Sequence, residues 1–272
     1  MKRAALAGLL VTVAACGGGG KETVVPLPTA SALASSAPPP ALGGDVCQIP
    51  KSDMCLQFDD HSTLVNQKVC EKFDTGAFQA AGACAKELRL GSCRVAADRY
   101  AGIFFAGKNN DILDSQEYCE QALHGVFTAT STRDVTATWV KTELTSKFAG
   151  FTLLAPAQAL QETHGASVSI ERYSGYYGII LSHGTVTADE VKSDAMEGSE
   201  YFKFDSFVTE TSTKFVWKVR DAKTSAPGYK FTVLLTVGGA HVICESLTVF
   251  DNMPLTDANI ESCNSISRLP PR

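Results

Sequence analysis

The sequence predicts an α+β protein in which a small disulfide-rich helical module is followed by an antiparallel sheet packed with two helices, an α/β sandwich. Two observations predict this fold class. Six cysteines crowd into residues 47–128, whereas residues 133–272 hold two. Apolar residues recur at helical spacing in the first part and with a period of two in the second. The two parts are therefore expected to be separate modules.

Residues 1–15 have the layout of a secretory signal peptide. A positively charged start precedes a short apolar run and a cleavage position formed by small residues. The run is too short for a membrane span, which needs roughly 20 apolar residues. Cleavage is expected either to release a soluble protein or to follow acylation of Cys16.

The residues around that position, Val13-Ala14-Ala15-Cys16, resemble the bacterial lipobox, with Val where Leu is commonest. The resemblance implies a diacylglyceryl thioether on Cys16 and an acyl chain on its amino group, so the membrane is an expected partner. Two or more acyl chains hold a protein stably at a bilayer. Because Gly17 rather than Asp follows Cys16, analogy with lipoprotein sorting favours the outer membrane, on its periplasmic or surface face.

Residues 16–46 are expected to form a disordered tether that begins at the lipidated cysteine. The segment opens with four glycines after Cys16 and is rich in Gly, Pro, Ala, Ser and Thr. Such a composition cannot bury enough apolar surface to offset the conformational entropy of the chain. The tether would hold the folded body away from the lipid surface.

The nine cysteines of the chain also indicate export. If Cys16 carries lipid, eight remain, enough for four disulfides in an oxidising compartment. Cys244 and Cys263 are expected to pair, because no other cysteine follows the first module. The pairing of the remaining six stays open: Cys47, Cys55, Cys70, Cys84, Cys93 and Cys119.

One pattern, Cys-Glu-x-x-x-x-Gly-x-Phe, occurs twice in the first module, at residues 70–78 and 119–127. A short helix is predicted before each copy, with Ser62 as the first N-cap and Asp114 opening a capping box for the second. The glycine of each copy is expected to end the helix in the left-handed conformation. We interpret the duplication as structural, and a duplicated function is the alternative.

The stretches "MCLQF", "CEKFDTGAF", "GACAKELRLGSC" and "YCEQALHGVF" carry a resemblance over residues 47–128. The module resembles small cysteine-rich modules of uncharacterised exported lipoproteins from myxobacteria and related large-genome bacteria. The resemblance implies an envelope location and no particular activity.

The second module is expected to consist of seven strands and two helices. Thr187 with Glu190 predicts a capping box for the first helix, Gly238-Gly239 predicts a hairpin turn, and Thr256 is expected to cap the terminal helix. The predicted strands are 151–156, 166–173, 175–182, 201–211, 213–221, 228–237 and 240–250. This order, with its F-x-L-x-A-P opening and its ending of a hairpin and then a helix, resembles the α/β sandwich of the PsbP/Mog1 superfamily over residues 151–269. That resemblance implies a binding or assembly module.

No residue pattern predicts catalysis, so the sequence predicts no catalytic residue, no cofactor and no metal ligand. Asp59-Asp60-His61 is the one compact acid–imidazole cluster, and a loop before a helix explains it without such a role. A net charge of −5 without a basic patch argues against nucleic acid as a partner.

Three clustered tyrosines are the one candidate recognition surface. Tyr173, Tyr176 and Tyr177 lie around Gly175, and tyrosines give binding surfaces rigid, amphipathic contact area. The alternative is a hairpin in which the tyrosines pair across strands.

Taken together, the sequence predicts a lipid-anchored envelope lipoprotein that acts as a non-enzymatic binding or assembly module. Its expected partner, besides the membrane, is an envelope protein or a small ligand. The two alternatives are an exported, hydrolase-like enzyme with a site assembled from scattered residues and a purely structural envelope protein.

Overall fold

The computed structural model describes residues 44–60, 62–95, 98–108, 110–173 and 175–270. The predicted signal peptide, Cys16, the tether as far as residue 43 and His61 lie outside the described residues. All described residues belong to one compact unit, Pro40–Arg272. Within the described ranges, no helix is both long enough and apolar enough to cross a membrane.

The predicted fold class is wrong. The described chain contains sixteen strands in three sheets and five short α-helices, and the first module is itself a sheet. Residues after 133 form two sheets with three helices, where one sheet with two helices was expected. The error has a physical source in strands such as Met54–Phe58, which is buried at four of its five residues. A continuous apolar run has no period of two, so its pattern does not distinguish a buried strand from a buried helix.

Six antiparallel strands form the first sheet. They are β1 Val46–Ile49, β2 Met54–Phe58, β3 Ala77–Gln79, β4 Arg89–Arg94, β5 Tyr100–Phe105 and β6 Val126–Ala129. Their order across the sheet is β3-β1-β2-β5-β4-β6. Two helices accompany them, α1 Thr63–Cys70 and α2 Ile112–Glu117, and α2 continues into a π-helical turn at Tyr118–Ala122.

The order of strands is that of two β-β-α-β copies related by a pseudo-two-fold axis. The axis passes between Leu56 and Gly102, which lie opposite each other in the central strand pair. Cys47 lies opposite Leu56 on one side, and Cys93 lies opposite Gly102 on the other. Directly opposed residues in an antiparallel sheet point to the same face. Both cysteines, and the helices that they bind, therefore lie on one face of the sheet.

Each copy repeats the same covalent frame. The helix-ending cysteine of the pattern is bonded to a cysteine of the first strand, as Cys47–Cys70 in one copy and Cys93–Cys119 in the other. The phenylalanine that ends the pattern lies opposite that strand cysteine in both copies. The duplicated pattern is thus the sequence of a duplicated structural unit.

The two repeat glycines have a different role from the one expected. Neither adopts the left-handed conformation, which instead belongs to the residue before each glycine, with φ of 69° and 50°. A Cβ on Gly76 would lie 2.4 Å from the carbonyl oxygen of Cys70, and one on Gly125 would lie 2.6 Å from Sγ of Cys93. Each glycine is required because the chain passes directly against the disulfide of its own copy.

Ten further strands form two sheets. They are β7 Val140–Glu143, β8 Phe151–Ala155, β9 Leu160–His164, β10 Ser167–Arg172, β11 Tyr177–His183, β12 Phe202–Glu210, β13 Lys214–Asp221, β14 Pro227–Val237, β15 Ala240–Ser246 and β16 Ser267–Arg268. The larger sheet has the order β12-β13-β14-β15-β11-β10-β9, and the smaller has the order β16-β8-β7. The predicted turn at Gly238-Gly239 joins β14 to β15, with positive φ at both glycines.

Three helices accompany these sheets, α3 Thr132–Thr136, α4 Ala188–Glu197 and α5 Met253–Asn264. Helix α4 begins with the predicted capping box, in which the Thr187 side chain and the Glu190 side chain each bond the other residue's backbone N–H. It covers β12 and β13 on one face of the larger sheet. Helix α5 packs against β14 and β11.

Helix α5 begins earlier than expected. Its N-cap is Asn252, whose side chain accepts a hydrogen bond from the Leu255 N–H at 2.9 Å. Thr256, the predicted cap, is buried inside the first turn and donates to the Asn252 carbonyl. A proline in the first turn suits this earlier start, because the missing N–H needs no helical partner there.

Apolar packing continues between the two predicted modules. One cluster of buried residues includes Leu90 and Cys119 from the first and Phe231 and Leu255 from the second. The boundary between residues 128 and 133 therefore stays a prediction about whether each part folds by itself.

Candidate functional site

A groove of about 510 Å³ opens on the first sheet, over the central strand pair. That volume lies within the range typical of small-molecule sites. Met54 of β2 and Phe104 of β5 lie opposite each other and form its floor. The remaining lining residues are Ser52, Phe73, Asn110, Asp114, Glu117, Tyr118, Gln121 and Ala122.

One face of the second-copy helix forms a wall of the groove. Asp114, Glu117, Tyr118 and Gln121 are spaced at i, i+3, i+4 and i+7, which places them on one side of a helix. The last part of this wall is π-helical, and the Leu123 N–H bonds the Tyr118 carbonyl at 3.1 Å. Single π turns inside helices are frequent at functional sites.

Aromatic rings give the groove its apolar surface. The Phe104 and Tyr118 ring centroids are 6.3 Å apart in an edge-on arrangement. Phe104 is 3% exposed, whereas Tyr118 is 45% exposed. The Tyr118 ring therefore keeps open surface for a ligand, while Phe104 provides a fixed base beneath it.

The charge of the groove is negative. Asp114 and Glu117 contribute carboxylates, and the lining described here contains no lysine or arginine. Neither carboxylate takes part in an ion pair among the described residues. The groove therefore combines an apolar floor with uncompensated negative charge at its wall.

Asn110 fixes one side of the groove. Its side-chain amide donates to the Ser52 carbonyl at 2.6 Å and to the Asp53 carbonyl at 3.1 Å. These bonds join the loop before α2 to the turn before β2. The loop on this side of the groove is therefore fixed to the turn before β2 by the Asn110 side chain.

A second cleft, of about 370 Å³, lies on the larger sheet and contains Lys230 and Asp251. Burial lowers the pKa of Lys230, and the nearby Glu245 carboxylate opposes that effect. Burial raises the pKa of Asp251 to about 6, with Asp111 and Asp114 adding to the shift. No described hydrogen bond or ion pair joins Lys230 to Asp251.

Asp251 follows the larger sheet and lies near the start of the second-copy helix. The backbone N–H of Ile112, at the first turn of α2, acts to lower its pKa, against the larger effect of burial. Its raised pKa follows from this buried, acidic location.

The tyrosine cluster lies mainly in the core. Tyr176 and Tyr177 are 1% and 0% exposed, and only Tyr173, at 37%, reaches the surface. The Tyr177 hydroxyl lies 2.9 Å from the Ser262 hydroxyl, and burial raises its pKa. The Arg172 guanidinium stacks over the Tyr173 ring at 4.4 Å. The recognition surface expected here is thus reduced to one partly covered tyrosine.

Four disulfides join the eight cysteines after Cys16. Cys244 is bonded to Cys263, which attaches α5 to the larger sheet. Cys55 of β2 is bonded to Cys84, and the remaining bonds are those of the two repeat copies.

Of the predicted acid–imidazole cluster, the structure describes the two acids, and His61 lies outside the described residues. Asp59 and Asp60 form ion pairs with Arg94 and Arg99, and Asp60 also bonds the Ser62 N–H before α1. Hydrogen bonding to Ser62 lowers the pKa of Asp60. Among the described residues, no group of three His, Cys, Asp or Glu side chains is placed to hold a metal ion.

Sequence reasoning did not find the groove. The available signal was the helix face at residues 114, 117, 118 and 121, which becomes visible when the two repeats are aligned on Cys70 and Cys119.

Comparison with models of known protein families found no match, and comparison with curated proteins found no similar sequence.

Proposed function

We propose that this chain is an exported lipoprotein, anchored in the outer membrane by acyl chains on Cys16, whose folded body binds a small ligand without catalysing a reaction. Its four disulfides support the export, because such bonds persist in oxidising compartments and are rare where thiols are kept reduced. The anchor rests on the lipobox-like residues that end at Cys16.

The groove over Met54 and Phe104 is the observation that carries the binding role. It is large enough for a small molecule, and its apolar floor is surrounded by polar groups that can orient a ligand. The floor and wall are fixed by a six-stranded sheet and three disulfides. A preformed site reduces the entropy that binding would otherwise cost.

The hydrolytic alternative has one feature in its favour, the displaced pKa values of Lys230 and Asp251 in the second cleft. We favour binding because burial, with Asp111 and Asp114 nearby, already accounts for the raised pKa of Asp251. An activity that disappears in Asp251→Asn, in protein that remains folded, would support the enzyme instead.

The anchor is tested by labelling cells with radioactive palmitate. The wild-type chain should incorporate label and fractionate with membranes. Cys16→Ser should lose the label and accumulate as precursor or as soluble protein. A Cys16→Ser chain that fractionates like wild type would overturn the anchor.

The groove is tested with the oxidised full chain in neutral detergent, labelled with [methyl-13C]methionine. The methyl group of Met54 reports from the groove floor, and the exposed Met196 serves as an internal control. Benzyltrimethylammonium, benzyl alcohol and phenylacetate serve as probes of similar shape. We expect at least one to shift Met54 and leave Met196 unchanged. Ala122→Trp, which fills the groove, should abolish the shift, and no response at Met54 to any probe would refute binding there.

A further inference from the structure

On the premise of the proposed function, we infer that the groove selects an organic ammonium ion that carries an apolar group. The inference combines three features of the lining: an apolar floor, an open aromatic ring and two carboxylates without cationic partners. The first selects an apolar body, and the other two select positive charge.

The floor requires an apolar part of the ligand. Met54 and Phe104 are 6% and 3% exposed, so they close the groove from below and leave little accessible surface of their own. Phe73, Ala122 and the exposed Tyr118 ring add accessible apolar surface around them. A fully polar ion would lose hydration over such a surface without replacing its hydrogen bonds. An aromatic or branched aliphatic group would instead cover the floor, and the Met54 sulfur adds favourable contact with a ring.

The residues of the wall, which should attract a positive charge, lie beside that floor. Tyr118 follows Glu117 directly, and its exposed ring surface can attract a cation through the electron-rich face. Asp114 lies one turn earlier on the same side of the helix. A cationic head group at this wall would meet an aromatic ring and two carboxylates at once.

The first copy of the repeat lacks the acidic residues of the wall, so these residues are not part of the frame that the two copies share. Aligned on the two cysteines, the second-copy residues Asp114, Glu117, Tyr118 and Gln121 correspond to Val65, Lys68, Val69 and Lys72. The neighbouring Gln–Glu hydrogen bond, by contrast, is present in both copies at 3.0 and 2.9 Å. Asp114, Glu117 and Tyr118 are acidic or aromatic where the first copy has Val65, Lys68 and Val69, which is the difference expected of a ligand-selecting surface.

The decisive experiment measures the dissociation constants of the three benzyl probes from the shift of the Met54 methyl group. Benzyltrimethylammonium should bind at least about tenfold more tightly than benzyl alcohol, since cation–π and carboxylate contacts both act on the ammonium. Phenylacetate should bind most weakly, because its charge repels the wall. Raising the salt concentration should weaken only the cationic probe appreciably.

Matched variants locate the selectivity. Glu117→Gln should weaken benzyltrimethylammonium about threefold to tenfold and leave benzyl alcohol unchanged. Tyr118→Leu should weaken the cation similarly, and Tyr118→Phe should retain most of the affinity because the ring remains. Two controls should stay within about twofold of wild type: Glu120→Gln, whose carboxylate bonds Gln116, and Lys68→Gln, the first-copy counterpart of Glu117.

The outcomes separate this inference from the proposed function. If all three probes shift Met54 with similar affinity, or if phenylacetate binds best, the groove binds ligands and the inference of a cation is wrong. If no probe shifts Met54, both fail. If the cation binds tightly but Glu117→Gln and Tyr118→Leu have no effect, the assignment of the selecting wall is overturned.

Discussion

The two copies of the repeat in the first sheet share a frame and differ in one surface. Both have a helix-ending cysteine bonded to a strand cysteine and a glycine pressed against that bond. Both also carry a buried polar residue at the same helical position, Asn66 in one and Ser115 in the other. The helices differ on the face that lines the groove in the second copy, where Asp114, Glu117 and Tyr118 replace Val65, Lys68 and Val69 of the first.

This difference distinguishes the shared frame from the groove. The cysteine, glycine and phenylalanine that match between the copies form the shared frame. Asp114, Glu117, Tyr118 and Gln121 line the groove and differ in type from their first-copy counterparts. The second copy is also longer, with a sequence separation of 26 rather than 23 between its paired cysteines, and it contains the π turn. The added length lies in the copy whose helix forms the groove wall.

The largest expected effect is loss of a repeat disulfide. Replacing Cys93 and Cys119 together with alanine should lower the free energy of unfolding by about 3 kcal/mol, and replacing Cys47 and Cys70 should have a similar effect. The two variants should lose similar stability because the two disulfides close loops of similar length. Urea unfolding of the two oxidised variants provides the measurement. A difference of more than about 2 kcal/mol between them would show that the copies are not equivalent frames.

The next effect concerns the carboxyl groups near the N-terminal ends of α1 and α2. Asp60, within the first copy, accepts a hydrogen bond from the Ser62 N–H before α1, whereas the start of α2 is capped by Asp111 and lies beside Asp251 from the second module. Because the folded pKa of Asp251 is raised from 3.8 to about 6, its contribution to stability is complete below pH 3.8 and is lost as pH rises through about 6. Asp251→Asn should therefore stabilise the chain by about 2–3 kcal/mol above pH 7 and have little effect near pH 4.

Urea unfolding of Asp251→Asn and wild type across pH 4–8 measures this dependence. Asp60→Asn is the matched control. Its stability relative to wild type should not increase as pH rises, because the pKa of Asp60 is lowered. Equal stability of Asp251→Asn and wild type at every pH would contradict the account of the buried carboxyl.

A smaller effect is expected at the glycines that touch the disulfides. Gly76→Ala and Gly125→Ala should each cost about 1–3 kcal/mol, because the added methyl group must displace backbone or sulfur. Gly102→Ala is the control on the pseudo-two-fold axis, since its Cβ would meet nothing closer than the Met54 sulfur at 3.6 Å. Thermal unfolding can rank the three variants, and a Gly102→Ala variant as unstable as the others would refute the packing explanation.

The smallest effect should be identical in the two copies. Gln67→Ala and Gln116→Ala each remove one exposed hydrogen bond to a glutamate four residues later, at a cost of about 0.2–0.5 kcal/mol. Precise urea midpoints on the same preparation would detect it. A clearly larger loss for one variant would mean that its pair has acquired another role.

The sequence predicted well those elements whose signals are local. The capping box at Thr187, the turn at Gly238-Gly239 and the two strands that it joins depend on residues near one another in the chain. The disulfide between Cys244 and Cys263 was predictable because the second region offers no other partner.

The first sheet was not predictable in the same way. Its central strands are covered on one face by helices and on the other by the loop that carries Cys84, so their alternation is hidden. Its pairings join β2 to β5 across more than 40 residues, and no local pattern specifies which strands meet. The groove depends on those pairings, because Met54 and Phe104 become neighbours only in the folded sheet.

The most direct test is an intermolecular nuclear Overhauser experiment between benzyltrimethylammonium and the oxidised full chain, with methyl-labelled methionine and valine and ring-labelled tyrosine. The account predicts cross-peaks from the benzyl protons to the Met54 methyl group and from the trimethylammonium protons to the Tyr118 ring. Cross-peaks to Val65 and Val69 of the first copy instead, or none to Met54 and Tyr118 at saturating probe, would contradict it.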